Sequence, residues 1–180
     1  MTTVGTVLEV AGSGNCVDTH MYATGGLKTI IVKVMDDDGG QGSASVTIDV
    51  NTPPDCSTVT PSLDTLWPAN HKLQTVGISG ATDADGDTVT LTITGVTQDE
   101  PLNGLGDGDT SPDAEHVPGH ADQVLLRAER SGPGDGRVYR LAFGGNDGRG
   151  GMCSATVNTT VVKGQGQGAA VDSGLIVNSF

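Results

Sequence analysis

Aromatic side chains are scarce in this chain: 1 Trp, 2 Tyr and 2 Phe among 180 residues. A core without large rings buries little area per residue. Such a fold needs reinforcement from disulfides, bound cations or pairing with other copies of the chain. Basic residues are scarce too, 9 Lys and Arg against 22 Asp and Glu, for a formal charge of −13. Phosphate neutralisation needs clustered basic side chains, so nucleic acid is excluded as a partner. No apolar run approaches the roughly 18 residues of a spanning helix, so membrane insertion by such a helix is excluded. Glycine is plentiful, at 28 residues, but shows no period of three, which excludes a collagen helix. Helix caps and amphipathic 3.6-residue periods are missing throughout. The first residues lack a basic start followed by an apolar run, so the sequence reads as a mature or truncated chain.

What the sequence does contain is alternation. Residues 89–94 place Val89, Leu91 and Ile93 on one side and Thr90, Thr92 and Thr94 on the other. This is the period-two pattern of a strand with one buried face. Residues 28–35 and 44–50 alternate likewise, and 73–78, 123–130, 137–143 and 154–162 complete the set. Between them stand turn sequences: DDDGGQG, DADGD, SGPGDG and GGNDGRGG. Short strands punctuated by Gly-rich turns predict an all-β fold of antiparallel sandwiches.

Residues 51–55 (NTPPD) mark a joint, because successive prolines donate no ladder hydrogen bonds and stiffen the chain. Residues 1–50 offer three or four strands, near 3–10, 18–23, 28–35 and 44–50, where a sandwich of the immunoglobulin type needs about seven. The main body runs over 56–162. Residues 163–170 (KGQGQGAA) form a linker, and 171–180 (VDSGLIVNSF) a strand-like tail whose apolar residues need a surface to dock on.

Two stretches resemble known families. His20-Met21-Tyr22, the run from Gly26 to Val32 and the turn Asp36-Asp37-Asp38-Gly39-Gly40 resemble the second half of a polycystic-kidney-disease-type (PKD) repeat, an extracellular immunoglobulin-like sandwich. That family's first-half motif is missing. The stretches PPDCS, LWPANHK, DADGDTVTLTITGVTQDEP, LRAERSGPGDGRVYRLAF and NDGRGGMC are similar to an immunoglobulin-like repeat of large secreted bacterial proteins. The resemblance implies a fold, immunoglobulin-like antiparallel β-sandwiches with the N-terminal one incomplete, and a location, outside a bacterial cell. It implies no activity.

Three cysteines, Cys16, Cys56 and Cys153, allow one bridge and one remaining thiol. The first and last strands of an immunoglobulin-like sandwich run close together, so the resemblance implies a Cys56–Cys153 disulfide. Such a bridge suits the extracellular setting.

Among candidate sites, Asp83-Ala84-Asp85-Gly86-Asp87 stands out. Alternate carboxylates around a glycine let a loop fold its oxygens about one hard cation, and calcium is the expected cofactor. The competing reading is a solvated Asp-Gly turn. Asp99 and Glu100 lie just past the following strand, and Asp107, Asp109 and Asp113 make a second acidic loop. Asp36 and Asp38 are further candidate ligands, and Asp147 a weaker one. An exposed Trp67 would stack on a sugar ring, but in an aromatic-poor chain a lone Trp is more often a core plug. His71 is read as a local hydrogen-bonding residue. His116 and His120 flank Val117-Pro118-Gly119, which forbids the helix a zinc pair would use. Five arginines from Arg127 to Arg149 are expected to pair with carboxylates. No nucleophile elbow, zinc-protease motif or phosphate loop is present, so catalysis is not expected.

The combined expectation is a non-catalytic extracellular structural or adhesive protein, stabilised by calcium. Its strands, the tail or those of the N-terminal segment, would complete a neighbouring copy head to tail in a filament. The tail's other expected resting place is its own N-terminal segment. The alternative function is a carbohydrate-binding or spacer module of a secreted hydrolase, touching polysaccharide through Trp67.

Overall fold

The computed structural model describes residues 6–10, 13–35, 37–103, 106, 108, 110–164 and 166–180, with side chains described from Val17 onward. Among these residues every regular element is a β-strand. The chain divides into two compact units, Met1–Thr52 and Pro53–Phe180, and the division falls inside the Pro-rich joint.

The first unit holds two separate hairpins. Strand β1 (Thr6–Val10) pairs with β2 (Ser13–Val17), and β3 (Gly26–Met35) pairs with β4 (Gln41–Val50). Residues 18–23 form no strand, contrary to expectation, because Ser13–Val17 comes first and takes the β1 ladder. In the longer hairpin Ile30 stands opposite Val46, Val32 opposite Ala44 and Lys28 opposite Ile48. Alternation therefore gathers Ile30, Val32, Val34, Ala44, Val46 and Ile48 on one face. No described side chain of this unit is buried. Val32, Val34 and Val46 are 48%, 64% and 55% exposed.

The second unit contains two sheets around one core. The four-stranded sheet runs β5 (Thr60–Pro61), β7 (Leu73–Ser79), β10 (Gln123–Arg127), β9 (Ala114–His116). The five-stranded sheet runs β13 (Val177–Asn178), β8 (Thr90–Gln98), β11 (Gly136–Asn146), β12 (Met152–Val162), β6 (Thr65–Leu66). Every pairing is antiparallel except β12 with β6. Val76, Ile78, Val124 and Leu126 of the first sheet share a core with Ile93, Val96, Tyr139, Leu141, Phe143 and Val161 of the second. Branched aliphatics thus do most of the filling that rings do in richer cores.

The disulfide joins Cys56 to Cys153 across 97 residues, with the Cα atoms 5.8 Å apart. Gly145, opposite Cys153 in the β11–β12 ladder, makes room for it. A Cβ at residue 145 would stand 2.8 Å from Cys153 Sγ and 3.2 Å from Cys56 Sγ.

Strand β8 carries one irregularity. Ile93 pairs with Phe143 and Gly95 with Ala142, so Thr94 is an extra residue, a β-bulge. Its hydroxyl donates to the Ala142 carbonyl at 3.2 Å. The bulge reverses the alternation: Ile93 points inward before it, Val96 and Gln98 after it. This places a polar Gln98 in the interior.

The tail docks within its own unit, on β8 rather than on the N-terminal segment. Only Val177–Asn178 takes strand geometry there.

Candidate functional site

Two acidic assemblies occupy the second unit, and they differ in what holds their oxygens. The first is the loop between β7 and β8. Thr82 is tied to Asp55 by two backbone hydrogen bonds of 2.7 and 3.1 Å, which fix the loop's start beside the disulfide. Asp83 Oδ1 accepts the amides of Asp85 at 2.8 Å and Asp87 at 3.3 Å, and Gly86 closes the turn with φ of +84°. One carboxylate oxygen from each of Asp83, Asp85 and Asp87 lies within 4.8 Å of the others. Ligands on opposite sides of a calcium ion stand roughly 4.6–5.2 Å apart, twice the usual ligand distance, so this spread fits one ion. The Asp83 Oδ2 oxygen is buried with no hydrogen-bond partner among the described residues. Asp87 Oδ2 accepts from Arg149 Nη1 at 3.1 Å, at the half-exposed rim.

The second assembly is buried and built around Arg137. Its Nη1 donates to Asp113 Oδ2 at 2.7 Å and its Nε to Glu100 Oε2 at 3.1 Å. Gln98, turned inward by the bulge, donates to the same Asp113 oxygen at 2.7 Å and to the Glu100 carbonyl at 3.1 Å. The Tyr139 hydroxyl accepts from Arg137 and donates to the Arg127 carbonyl at 2.9 Å. Arg127 donates to the carbonyls of Pro112 and His71. Glu129 Oε2 meets His71 Nδ1 at 2.9 Å. Burial raises the Asp113 carboxyl above its ordinary value, opposed by the Gln98 amide and the two guanidiniums. Burial raises the Tyr139 phenol and the Glu129 carboxyl as well. Asp113, Glu129, Arg137 and Tyr139 are fully buried, while the His71 side chain is half exposed. The assembly fastens β8, β10 and β11 to the segment carrying Asp113.

The structure therefore brings together Asp83, Asp85 and Asp87 and sets Asp99, Glu100 and Asp113 apart from them. Asp99 is also taken up by backbone donors: Oδ1 accepts the Val138 amide at 2.7 Å and Oδ2 the Ser173 amide at 2.9 Å. Glu100 Oε2 accepts the Ser131 amide at 2.7 Å in addition to Arg137. Asp38 is exposed in the β3–β4 turn of the first unit. Asp36, Asp107 and Asp109 lie outside the described residues. Asp147 Oδ1 accepts the amides of Arg149 and Gly151 and shapes its turn.

Other side chains depart from the sequence reading. Trp67 is 40% exposed and outside the core, not a plug. The neighbouring Leu66 takes the inward position of β6 and is fully buried, so alternation turns Trp67 outward. His71 bonds at long range to Glu129 and Ala128, not locally. The Arg137 assembly went unread as a unit, although the expected pairing of arginines with carboxylates was its signal.

No protein-family model, curated protein or solved structure matches this chain.

Proposed function

We propose that this is a non-catalytic extracellular structural protein whose N-terminal strands are completed by another copy of the chain. The observation that carries this reading is the β3–β4 ribbon. Its two strands are ten residues each, and neither outer edge pairs with another described strand. The second unit handles its edges differently: β5, β6, β9 and β13, the four edge strands, are only two or three residues long. Long open edges with exposed apolar side chains favour pairing with a further strand, whereas short ones resist it. A two-stranded ribbon without a covering layer is also marginal by itself. Addition of a neighbour's strands supplies both the missing ladder and the missing core. A contact made by different surfaces on the two copies propagates into a filament.

In this reading calcium occupies the Asp83–Asp85–Asp87 loop and relieves repulsion in a chain of charge −13. The disulfide and the resemblance to secreted bacterial repeats support the extracellular setting. Electron microscopy of the purified chain, with and without calcium, tests the proposal. Fibres or regular oligomers are expected, and dispersed monomers under both conditions contradict it.

The exposure of Trp67 favours a second reading, a polysaccharide-binding module. Affinity electrophoresis on a panel of polysaccharides decides it. Retardation that disappears in Trp67→Ala supports a glycan contact.

A further inference from the structure

The last residues of the chain close a gap between the two sheets of the second unit. Val177 pairs with Gln98 and Asn178 with Thr97, extending the five-stranded sheet by one short strand. The Ser179 amide donates to the Val96 carbonyl at 3.1 Å. The Ser179 carbonyl accepts from the amides of Asp113 at 3.1 Å and Ala114 at 2.8 Å, at the start of β9. Residue 179 therefore ties the β8 edge of one sheet to the β9 edge of the other. The Phe180 ring stacks on His116 with centroids 4.3 Å apart and packs on the core. Upstream, Asp172 pairs with Arg140, and Ser173 bonds to Asp99 through its amide and its hydroxyl. The slot these groups form recognises a specific peptide by backbone ladder, buried serine and terminal ring, the usual elements of strand addition.

The connection after β12 joins the slot to its own tail. Residues 163–170 carry Gly164, Gly166 and Gly168, with Gly166 and Gly168 at positive φ. Fully extended, eight residues span about 28 Å. Val171, Leu175 and Ile176 remain 59%, 46% and 74% exposed beside the docked strand.

We propose that the C-terminal strand exchanges between copies: residues 172–180 of one chain occupy the β8–β9 slot of a second. Every contact described above is then made again, between chains, so the exchange costs only the loss of independent motion of two bodies. The tether sets the balance. A tether long enough to return favours the self-docked form through its high effective concentration, and one too short to return forces the exchange. Reciprocal exchange closes a two-fold dimer, while one-way exchange leaves an open slot that recruits a further copy. This surface is separate from the β3–β4 ribbon, so either proposal can fail alone.

The test places one partner of a register pair on each of two chains. In a Cys16→Ser background, one chain carries Thr97→Cys and the other Asn178→Cys. They are mixed at high concentration under mild oxidation and mapped by non-reducing mass spectrometry. A single chain with both replacements gives the yield that the register allows within one copy. Exchange predicts a 97–178 bond joining the two different chains, and its yield rises when residues 164–168 are deleted from both. The shortened chain without added cysteines is expected to sediment as a dimer or larger. Association through the ribbon alone brings no residue 178 to residue 97 of another copy. Absence of the 97–178 link between chains, with the shortened chain sedimenting as a monomer, overturns the proposal.

Discussion

Arg137 and Asp113 form an ion pair at 2.7 Å in which neither side chain reaches solvent. A buried pair is a weak source of net stability, because desolvating both charges offsets their attraction. Its importance shows when one partner is removed. In Arg137→Met, Asp113 and Glu100 keep their burial and lose the Arg137 guanidinium, and Asp113 retains only the more distant Arg127 at 3.9 Å. We expect a loss of about 3–5 kcal/mol in urea unfolding, the usual cost of stranding a buried charge. A loss under about 1 kcal/mol, the range of exposed pairs, would show that water reaches the assembly.

Glu129 gives the fold a pH dependence of predictable sign. Burial raises its carboxyl above the ordinary value of 4.5, against the lowering effect of the His71 hydrogen bond. The folded state then holds the proton more tightly than the unfolded chain. The stabilisation is complete below pH 4.5 and is lost as the pH rises through the higher folded value. Glu129→Gln stays neutral at every pH. Its stability relative to the parent should therefore improve as the pH rises from 4.5 towards neutrality. Asp113, whose carboxyl is raised in the same direction, is present in both proteins, and its charge adds to the upward push on Glu129. Urea midpoints that differ by a constant amount across this range would contradict the assignment.

Calcium should act through the Asp83 loop. A ligand that binds only the folded state stabilises it by mass action, by about 2.7 kcal/mol at a hundredfold excess over its Kd, and so raises the melting temperature. Asp85→Ala is the informative variant, because the carboxylate that accepts the turn's amides belongs to Asp83 and stays in place. The parent should melt higher in millimolar calcium than in chelator, and the variant should lose most of that gain. Equal melting curves for the parent in both solutions would remove calcium from the reading.

The disulfide closes a loop of nearly the whole second unit, its cysteines 97 positions apart. In the chain-entropy account such a loop is worth about 4–5 kcal/mol. Gly145→Ala should forfeit much of this without touching a cysteine, since a Cβ there meets both sulfurs. Thiol titration of the unfolded variant is expected to show more free cysteine than the parent, together with a lower melting temperature. Unchanged thiol content and stability would mean that the strands shift to admit the methyl group.

Strand alternation was the legible part of this fold, because Val, Ile, Leu and Thr at period two state both the element and its inner face. The turn chemistry followed from residue type as well, and the cysteine pair from the resemblance to an immunoglobulin-like sandwich. Strands β5, β6 and β9 were not legible, since two or three residues carry no period, whereas β13 lies in the expected strand-like tail and takes up only two of its residues. The Thr94 bulge had one signal, Gly95 inside the strand, because a glycine within a strand pattern often marks a bulge. Asp99, Glu100 and Asp113 read as ligands because a carboxylate suits a cation and a guanidinium equally. What decides between them is Arg137, 24 residues beyond Asp113 and 37 beyond Glu100, and that distance is closed only by the sheet.

The bulge at Thr94 makes β8 a strand written in two frames. Ahead of it the core reads one set of alternate residues; beyond it the core reads the other. A substitution anywhere along the strand alters one position, but flattening the bulge with Thr94 kept in the ladder would rephase everything downstream. Gly95 and Thr97 would then face the interior, while Val96 and Gln98 turned to water. Asp113 would lose its amide donor, and the ladder offered to residues 177 and 178 would present the wrong side. Excision of Thr94 would instead merge the two frames into one and leave Val96 and Gln98 facing inward. Frame, not residue type, is what this strand can least surrender.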